Sequence, residues 1–494
     1  MADLILAIDQ GTTGTTVFVI DARGKIRGRA YREIRQFYPR PGWVEHDPEE
    51  IYRSTLALSK SAIAKARAKP ADIRGIGITN QRETFVVWER KSAKPVYRAI
   101  VWQCRRSAEI CDAMRERESE VVRRTGLLLD PYFSGTKLKW LLDNRPELRG
   151  RAERGELCFG TIDTWLIFRL SRGADFVTDY TNASRTMLLN LARLDWDDEM
   201  LAMLEVPRAM LPAAVSSRGP LAETAAGTIG PRAIPIAAII GDQQSALFGQ
   251  GAVNPGDSKA TYGTGAFLLM NTGREQVASH SRLLTTAALG PEGGPAYALE
   301  GSVFIAGAAI QWLRDGLGLI RKAPQSLQLA RKSRDRSQPY LVPAFVGLGA
   351  PHWDPAARGA IVGITRGTTR ADIVRAALDS IAYQVLDVIV AMENDTARAI
   401  SELRADGGAA ANPYLMQFQA DILGRPVRRP AMTETTALGA AMLAGMASGL
   451  WPLQKDLDVF HRGAKIFEPR MRRDERERLI EGWHQAVGRV LSRA

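Results

Sequence analysis

The stretch LAIDQGTTGTTVFVID, residues 6–21, sets two apolar runs around eight residues that are all Asp, Gln, Gly or Thr. The apolar runs Leu4–Ile8 and Val17–Ile20 predict two strands joined as a hairpin. Glycine lets a backbone approach a ligand closely, and the N–H groups and hydroxyls of such a tip can bind phosphate. The stretch by itself is equally typical of an ordinary polar hairpin.

A second stretch, SKATYGTGAFLLMNTG at residues 258–273, repeats this pattern, and two such tips could clamp one phosphate chain between them. ADGGAAAN, residues 405–412, predicts a glycine turn after a strand, suited to close approach by a base or ribose. Asp9, at the end of the first arm, could hold Mg²⁺ through water. The chain has neither G-x-x-x-x-G-K-[ST] nor a full G-x-G-x-x-G, which excludes P-loop and Rossmann nucleotide sites.

Strand and helix signals alternate along the first half of the chain. Asp47 is predicted to be the N-cap of a helix that begins at Pro48, with Glu50 completing a capping box. IRGIGIT, residues 73–79, predicts a buried strand. This alternation predicts an α/β architecture.

The second half has the same order of signals, with a Gly/Thr hairpin, a long amphipathic helix and then a strand, turn and helix. The apolar face of the long helix consists of Ile373, Ala377, Ile381, Val385 and Val388. A chain of 494 residues also exceeds the size at which one core stops growing, about 250–300 residues. We therefore expect two related α/β domains, residues 1–250 and 251–494, with the seam near Gly251–Pro255.

The composition is that of a soluble globular protein, with 45% hydrophobic and 24% charged residues and no apolar run of the ~18 residues that a membrane helix needs. Nucleic-acid binding would rest only on the net charge of +12, and the basic residues are scattered. Three cysteines, Cys104, Cys111 and Cys158, have no metal-ligand spacing. This sparse, odd number indicates a reducing cytoplasm.

The motifs DQGTT, GDQQSALFGQ, YGTG and DGGAAAN, in this order, resemble the FGGY carbohydrate kinases. That family implies two ribonuclease-H-like domains of the actin-like ATPase superfamily, with the active site in the cleft between them. GWVEHDP, ITNQRET, VWQCRR, YFSGTKLKWLLDN and TNASRTML are similar to its glycerol-phosphorylating branch. The resemblance implies cytoplasmic phosphorylation of glycerol by ATP and Mg²⁺, without a nucleic-acid partner, by a homodimer or homotetramer.

A polyol kinase must hold hydroxyls and remove one proton. Asp242 follows an apolar run and is predicted at a strand end, where it could equally cap the next helix; the resemblance makes it the catalytic base. Arg82 and Glu83 read as a local ion pair or, by resemblance, as ligands of glycerol hydroxyls. The resemblance adds hydroxyl contacts and apolar walls from Tyr132, Gln243, Trp102 and Phe267.

On the nucleotide side, the resemblance assigns eight residues to ATP or ADP, and Asp9 to the metal. The eight are Thr12, Thr13, Gly14, Thr264, Gly307, Gln311, Gly408 and Asn412. Asn412 is also predicted to be the N-cap of a helix over residues 413–423. Other hypotheses are a different sugar or polyol kinase, an ATP-driven switch of the same superfamily and a nucleic-acid binder.

Two positions depart from the family pattern. Many relatives read DQGTTSSR, whose Arg approaches the nucleotide phosphates, whereas this chain has Thr16 in that place. Members regulated by fructose 1,6-bisphosphate carry a Gly-Lys-Gly-Gly-type loop, whereas residues 226–236 here read AGTIGPRAIPI. Regulation by that bisphosphate is therefore not expected.

Overall fold

The computed structural model describes residues 3–333 and 339–492. Its strands are β1 (Leu4–Gln10), β2 (Gly14–Asp21), β3 (Ile26–Glu33), β4 (Glu45–His46), β5 (Ile73–Asn80), β6 (Phe85–Glu89), β7 (Ala99–Ile100), β8 (Leu157–Thr161), β9 (Val177–Asp179), β10 (Leu189–Asn190), β11 (Asp195–Trp196), β12 (Ala213–Val215), β13 (Arg218–Glu223), β14 (Pro235–Gly241), β15 (Ser258–Tyr262), β16 (Ala266–Gly273), β17 (Leu284–Leu289), β18 (Pro295–Val303), β19 (Tyr340–Val342), β20 (Ala360–Val362), β21 (Leu403–Asp406), β22 (Val427–Arg429) and β23 (Lys465–Phe467).

The helices are α1 (Pro48–Lys65), α2 (Ala108–Ala113), α3 (Glu118–Thr125), α4 (Ser134–Asn144), α5 (Pro146–Glu153), α6 (Ile162–Leu170), α7 (Tyr180–Ala183), α8 (Asp198–Leu204), α9 (Asp242–Gly249), α10 (Gly307–Asp315), α11 (Gln325–Ala330), α12 (Arg370–Thr396), α13 (Pro413–Leu423), α14 (Thr435–Ala447) and α15 (Arg473–Gly488). Short 3₁₀ turns lie at Pro70–Asp72, Arg115–Arg117, Arg208–Met210, Gly408–Ala411 and Gln454–Phe460. None of the helices in the described ranges is long and apolar enough to cross a membrane.

Two sheets share a six-strand topology, as the repeated sequence pattern predicts, and the second sheet has β17 as a seventh strand at its edge. The first has the order β13-β14-β5-β1-β2-β3, in which β1, β2 and β3 are antiparallel neighbours and β5 and β14 run parallel to β1. The second has the order β17-β18-β16-β15-β21-β22-β23, with β15, β16 and β18 antiparallel and β21 and β22 parallel to β15. The predicted α/β architecture of two related domains is confirmed.

Each sheet is covered on both faces, which is why its central strands are apolar on both sides. In β1, Leu6 and Ile8 pack with α1 and α6, whereas Ile5 and Ala7 pack against α14. The second sheet packs on one face against α12, α13 and α15, and α12 is buried along most of its length, as its apolar face predicts.

Helices α9 and α14 lie between the two sheets and cross at very short distance. A Cβ added to Gly439 of α14 would lie 1.9 Å from the carbonyl oxygen of Ser245 in α9, and one added to Gly249 would lie 2.3 Å from that of Thr435. Gly77 of β5 likewise faces the backbone of α14, where an added Cβ would lie 2.2 Å from Ala440 O. Only glycine permits this packing at these positions.

The first hairpin is longer than its apolar runs suggest. Asp9 pairs with Thr16 and Gln10 with Thr15 in the β1–β2 ladder, so the polar residues extend the strands and leave a short tip, Gly11–Thr13.

The strand predicted over residues 73–79 is β5. The domain boundary near residue 250 stays a prediction, although α14, far beyond it in sequence, covers the first sheet.

One expected helix cap is wrong in part. Asp47 is the N-cap of α1 and accepts a hydrogen bond from the backbone of Glu49 at 2.9 Å. Glu50 does not complete a capping box, because its carboxylate accepts from the backbone N–H of Arg35 at 3.2 Å, which anchors the chain after β3.

The α9–α14 crossing generates a stability prediction. Gly439→Ala should lower the free energy of unfolding by about 3 kcal/mol or more, because the added methyl meets backbone that cannot move aside. Gly488→Ala is the matched control, since a Cβ added to this residue at the end of α15 would have no atom within 4 Å. Urea unfolding of both variants checks this, and equal effects would contradict the proposed constraint.

Candidate active site

The first hairpin tip presents backbone and hydroxyl groups at the edge of the first sheet. The Gly11 N–H donates to Gly14 O at 2.9 Å, which closes the tip. The Thr13 side chain is exposed, and the Thr12 hydroxyl accepts from the indole N–H of Trp102 at 2.8 Å. Gly14 is buried in β2, where a Cβ would lie 2.6 Å from Arg32 O, so packing against β3 already requires glycine there.

A buried polar network supports this tip from beneath. The Gln36 side chain donates to Thr12 O at 2.8 Å, and its carbonyl oxygen lies 2.7 Å from His46 Nε2. Gln81 contacts the other side of the ring, with Nε2 at 3.4 Å from both His46 Nδ1 and Gly11 O. Burial lowers the pKa of His46 to about 4, so the imidazole is neutral at pH 7.

The second tip, Gly263–Gly265, lies at the N-terminus of α10. Thr264 O accepts from the backbone N–H groups of Ala306 and Ala308 at 2.9 and 3.0 Å. Gly263 O accepts from the N–H of Gly307 at 2.9 Å, and a Cβ at Gly307 would lie 2.5 Å from that oxygen. These bonds fix the tip against the start of the helix.

A cavity of about 400 Å³ opens beside this second tip. Its walls are largely apolar, from Ile310, Leu327, Leu378 and Pro413, and its edges carry glycine backbone and amide side chains. A pocket of this size and lining is typical of a site for a nucleoside-sized ligand. Five of the predicted nucleotide residues line it, namely Thr264, Gly307, Gln311, Gly408 and Asn412.

Asn412 performs the capping role that its position before Pro413 predicts. Its side-chain oxygen accepts from the N–H groups of Tyr414 and Leu415, at 3.0 and 3.5 Å, at the start of α13. Its Nδ2 donates to Ser326 Oγ at 3.3 Å, and both residues face the cavity. The cap therefore holds the amide at the cavity wall.

Asp242 is the first residue of α9 and directly follows β14, so it lies at a strand end as predicted. Its Oδ1 accepts from the backbone of Gln243 at 2.8 Å and lies 3.1 Å from Arg82 Nε. Burial raises the pKa of Asp242, and Arg82 and Lys259 limit the rise. The carboxylate is a partly exposed acceptor at the junction of the two domains.

Asp9 has the chemistry expected of a ligand for a hard cation. Burial, and then the negative charge of Asp242, raise the pKa of Asp9 to about 7. A divalent cation would relieve this unfavourable charge. In residues 3–333 and 339–492 no cluster of three or more His, Cys, Asp or Glu could hold a metal, so Mg²⁺ here would depend on Asp9 together with phosphate and water oxygens, which is how Mg²⁺ is usually held.

A buried set of alternating charges adjoins Asp242. Glu300 of β18 accepts two hydrogen bonds from Arg82, at 2.6 and 2.9 Å, and one from Arg185 Nη2 at 3.2 Å. Arg185 Nε donates to Glu83 at 2.6 Å. Burial opposes ionisation of Glu300, yet the two arginines lower its pKa to about 2. Glu300 thus ties the first domain to the second.

Three aromatic residues form one wall across the cleft. The Trp102 ring lies edge-on to Tyr132 and to Phe267, with centroid distances of 5.5 and 6.3 Å. Buried Lys137 donates from Nζ to Tyr132 O at 2.8 Å and to Val101 O at 3.2 Å, which fixes the two loops that carry this wall. The structure brings the predicted aromatic residues together.

Gln243 faces a lysine that no sequence motif singled out. Its side-chain oxygen accepts from Nζ of Lys259, a fully buried residue of β15 that also donates to Thr261 Oγ1 at 3.0 Å. Burial lowers the pKa of Lys259 to about 8, although Asp406 opposes this. The ammonium of Lys259 thus places positive charge within the cleft beside Gln243.

Comparison with known families accounts for this arrangement. The profile of the N-terminal domain of the FGGY family of carbohydrate kinases matches residues 4–249, and that of its C-terminal domain matches residues 258–448. The chain belongs to the FGGY family of carbohydrate kinases. The resemblance seen in the motifs is therefore confirmed.

Full-length relatives of this FGGY kinase include glycerol kinases. Glycerol kinase 2 of Thermotoga maritima is 56% identical over 489 residues, 99% of this chain and 98% of the relative. Glycerol kinase 1 of Clostridium tetani is 53% identical over 494 residues, 100% of this chain and 99% of the relative.

Solved structures of the family share the fold. The crystal structure of Plasmodium falciparum glycerol kinase with ADP has a TM-score of 0.94 at 36% identity, covering 100% of this chain and 99% of that one. A xylulose kinase from Lactobacillus acidophilus has a TM-score of 0.88 at 22% identity, covering 99% of each chain. The predicted two-domain fold is confirmed.

The predicted site residues of this FGGY kinase fall into two groups in space. One group lines the cavity between α10 and α13, and the other surrounds Asp242. Thr12 and Thr13 at the first tip, and Gly14 at the start of β2, belong to neither group. Sequence reasoning missed Arg185, Lys259 and Glu300, which hold the predicted residues. Arg185 lies in the quoted motif TNASRTML and Lys259 just before YGTG, so their place beside predicted site motifs was the available signal.

The network beneath the first tip predicts a pH effect. The unfolded chain protonates His46 near pH 6.5, whereas the folded protein resists protonation down to about pH 4. Stability should therefore fall between pH 6.5 and 4, by up to about 3 kcal/mol from this residue. In His46→Gln, which keeps a donor and an acceptor, that part of the decrease should vanish. Urea unfolding of both proteins at several pH values in this window measures the difference, and identical pH profiles would contradict the assignment.

Proposed function

We propose that this FGGY kinase transfers the γ-phosphoryl group of ATP to glycerol, giving sn-glycerol 3-phosphate and ADP. The observation that carries the proposal is the position of Asp242 beside Arg82 and Gln243, on the same side as Asp9 of the first hairpin. The full-length likeness to glycerol kinases supports it further. Cytoplasmic location and a homodimeric or homotetrameric state remain part of the proposal.

Glycerol would bind between charged and aromatic groups. The terminal nitrogens of Arg82 are held by Glu300, so Arg82 would donate to a hydroxyl through Nε, which has no hydrogen-bond partner in residues 3–333 and 339–492. Glu83 would supply a carboxylate acceptor, and Tyr132 and Gln243 would add further polar contacts. The rings of Trp102 and Phe267, which lie edge to face in the same wall, would cover one side of the carbon chain. Because the charged side chains are already fixed by buried ion pairs, binding need not order them.

Asp242 would act as the general base. As the attacking hydroxyl oxygen forms its bond to the γ-phosphorus, its proton passes to an Asp242 carboxylate oxygen, and the bond from the γ-phosphorus to the bridging oxygen of ADP breaks. The pKa of Asp242, which burial raises, makes it a better proton acceptor than an exposed carboxylate.

The nucleotide would bridge the two halves of the cleft. Its adenosine would occupy the cavity lined by Gln311, Gly408 and Asn412. Its phosphates would lie between Thr264 of the second tip and Thr12 and Thr13 of the first tip, with Gly14 next to it. Mg²⁺, held through Asp9, would neutralise charge on the phosphates when bound. Since Thr16 stands where many relatives have Arg, backbone N–H groups must supply more of the phosphate contacts here.

A substrate panel tests the proposal directly. ADP release is measured with glycerol, dihydroxyacetone, erythritol, xylulose and gluconate at matched concentrations. We expect glycerol to have the highest kcat/KM, because full-length relatives at 53% and 56% identity are glycerol kinases. Preference for xylulose or gluconate would instead make the chain another sugar kinase, and ATP hydrolysis indifferent to every acceptor would favour an ATP-driven switch.

Arg82→Ala should damage glycerol use and spare nucleotide binding. Loss of a charged hydrogen bond to a hydroxyl should raise KM for glycerol about tenfold or more. The affinity for ADP, measured by calorimetry, should stay nearly unchanged, because Arg82 lies outside the cavity lining. Arg145→Ala, at an exposed side chain, is the control. Collapse of ADP binding with an unchanged KM for glycerol would move Arg82 to the nucleotide site.

Asp242→Asn should keep the fold and ADP binding and lose turnover by about 10²–10⁴-fold, since it removes proton acceptance at nearly constant volume. The amide oxygen can still accept from Gln243 N. Asp198→Asn is the matched control, because Asp198 also begins a helix and its side chain is 78% exposed. Near-normal turnover in Asp242→Asn would remove this residue from the role of base.

A further inference from the structure

A polar cavity of about 240 Å³ lies where the chain passes between the two domains. One wall comes from the second sheet, through Arg404 of β21 and Arg428 of β22. The opposite wall comes from Gln250, the C-cap residue of α9, and from His461 with the preceding 3₁₀ turn. None of these residues lines the cavity beside the second tip, Gly263–Gly265, which we propose for the nucleotide.

The second wall is attached to the first domain. Phe460 of the 3₁₀ turn packs with the core that α14 forms on the first sheet, and Trp451 Nε1 donates to Ala22 O at 3.0 Å. A ligand in this cavity would therefore contact both domains at once.

Several buried polar atoms around this cavity lack a partner among the described residues. The Gln250 side chain is 6% exposed, and neither its Nε2 nor its Oε1 is hydrogen-bonded within residues 3–333 and 339–492. Three further buried atoms have no hydrogen-bond partner in the same described ranges, namely Arg404 Nη1, Gln454 Oε1 and His461 Nε2. Buried polar groups are normally satisfied, so such a group of atoms indicates a bound polar molecule.

The charged groups around this cavity indicate which kind of molecule would bind there. Glu402 is already shared, since it accepts from Arg428 Nε at 2.9 and 3.0 Å and from Arg404 Nε at 3.1 Å. Asp257 lies 3.4 Å from Arg404 Nη2 and accepts from the backbone of Val253 and Asn254. Asp458 of the 3₁₀ turn is a second carboxylate in the lining and faces His461. Arg404 Nη1 and the terminal nitrogens of Arg428 remain as charged donors, which suit the oxygens of a small oxyanion.

We propose that this cavity binds a small phosphate-type oxyanion, either inorganic phosphate or the phosphate of a short polyol ester, and that its occupancy changes the nucleotide affinity of the active site. Helix α9 supplies the connection, because it begins at Asp242 and ends beside Gln250. Its eight residues span about 12 Å. A ligand that draws Arg404 towards Gln250 acts on the same helix that carries Asp242.

Calorimetry on the full-length protein, with ADP and glycerol present to fill the active site, tests binding by titration with inorganic phosphate and, separately, with glycerol 2-phosphate. We expect one saturable site per chain. Gln250→Leu should weaken binding about tenfold or more while leaving stability intact, because its amide makes no hydrogen bond to lose in the described residues. Arg428→Gln should weaken it similarly, and Arg145→Gln, remote and exposed, should not.

The two probes separate the possible sources of the ligand. Tighter binding of phosphate favours the free ion, and tighter binding of glycerol 2-phosphate favours an ester. Absence of saturable binding by either probe, or equal binding in wild type, Gln250→Leu and Arg428→Gln, would overturn the proposal. These readouts do not depend on the identity of the phosphorylated substrate.

The coupling is tested by the Kd for ADP with and without phosphate. Because coupling between two sites is reciprocal, phosphate should change the Kd for ADP about threefold or more in the wild type. The Kd for ADP should stay constant in Gln250→Leu, because this variant binds phosphate weakly. A constant Kd for ADP in the wild type would overturn the regulatory part, and the same change in Gln250→Leu would show phosphate acting at the nucleotide site instead.

Discussion

The close crossing of α9 and α14 is the constraint on which the rest of the structure depends. Backbone meets backbone at Gly249 and Gly439, so no side chain can separate the two helices. The pair forms the layer between the two sheets, and α9 carries Asp242 at its N-terminus. The position of the proposed base is thereby fixed by glycine packing that lies far from any reacting atom.

Charge balance is the second organising feature, and it explains how so many ionisable groups remain in one cleft. Arg82 and Arg185 are compensated by Glu83 and Glu300, all of them buried. An unpaired charge buried there would lower the stability of the folded protein by several kcal/mol. Each member of the network therefore stabilises the ionised form of its neighbour. Glu83 also adopts a φ of +60°, a conformation uncommon outside glycine, which indicates that the network and not local preference sets its backbone.

Several elements of the fold could be predicted from the sequence, because they depend on the pattern of neighbouring residues. The two hairpins, β5, the N-cap at Asp47 and the N-cap at Asn412 each follow from neighbouring residues. What could not be predicted depends on contacts between distant segments. Glu300 lies more than two hundred residues from Arg82, and no local pattern around it predicts an ion pair with that residue. The ordered motifs identified the family, whereas the ion pairs between its domains needed coordinates.

The position of α14 has a consequence for how this chain can be divided. A polypeptide ending at residue 250 would contain every strand of the first sheet, yet it would lack the helix that buries Ile5, Ala7 and Phe18. Such a fragment would expose a broad apolar sheet face to water, which favours aggregation over independent folding. The unit that folds as one body is therefore discontinuous in sequence, and synthesis must reach α14 before the first half of the chain acquires its full core.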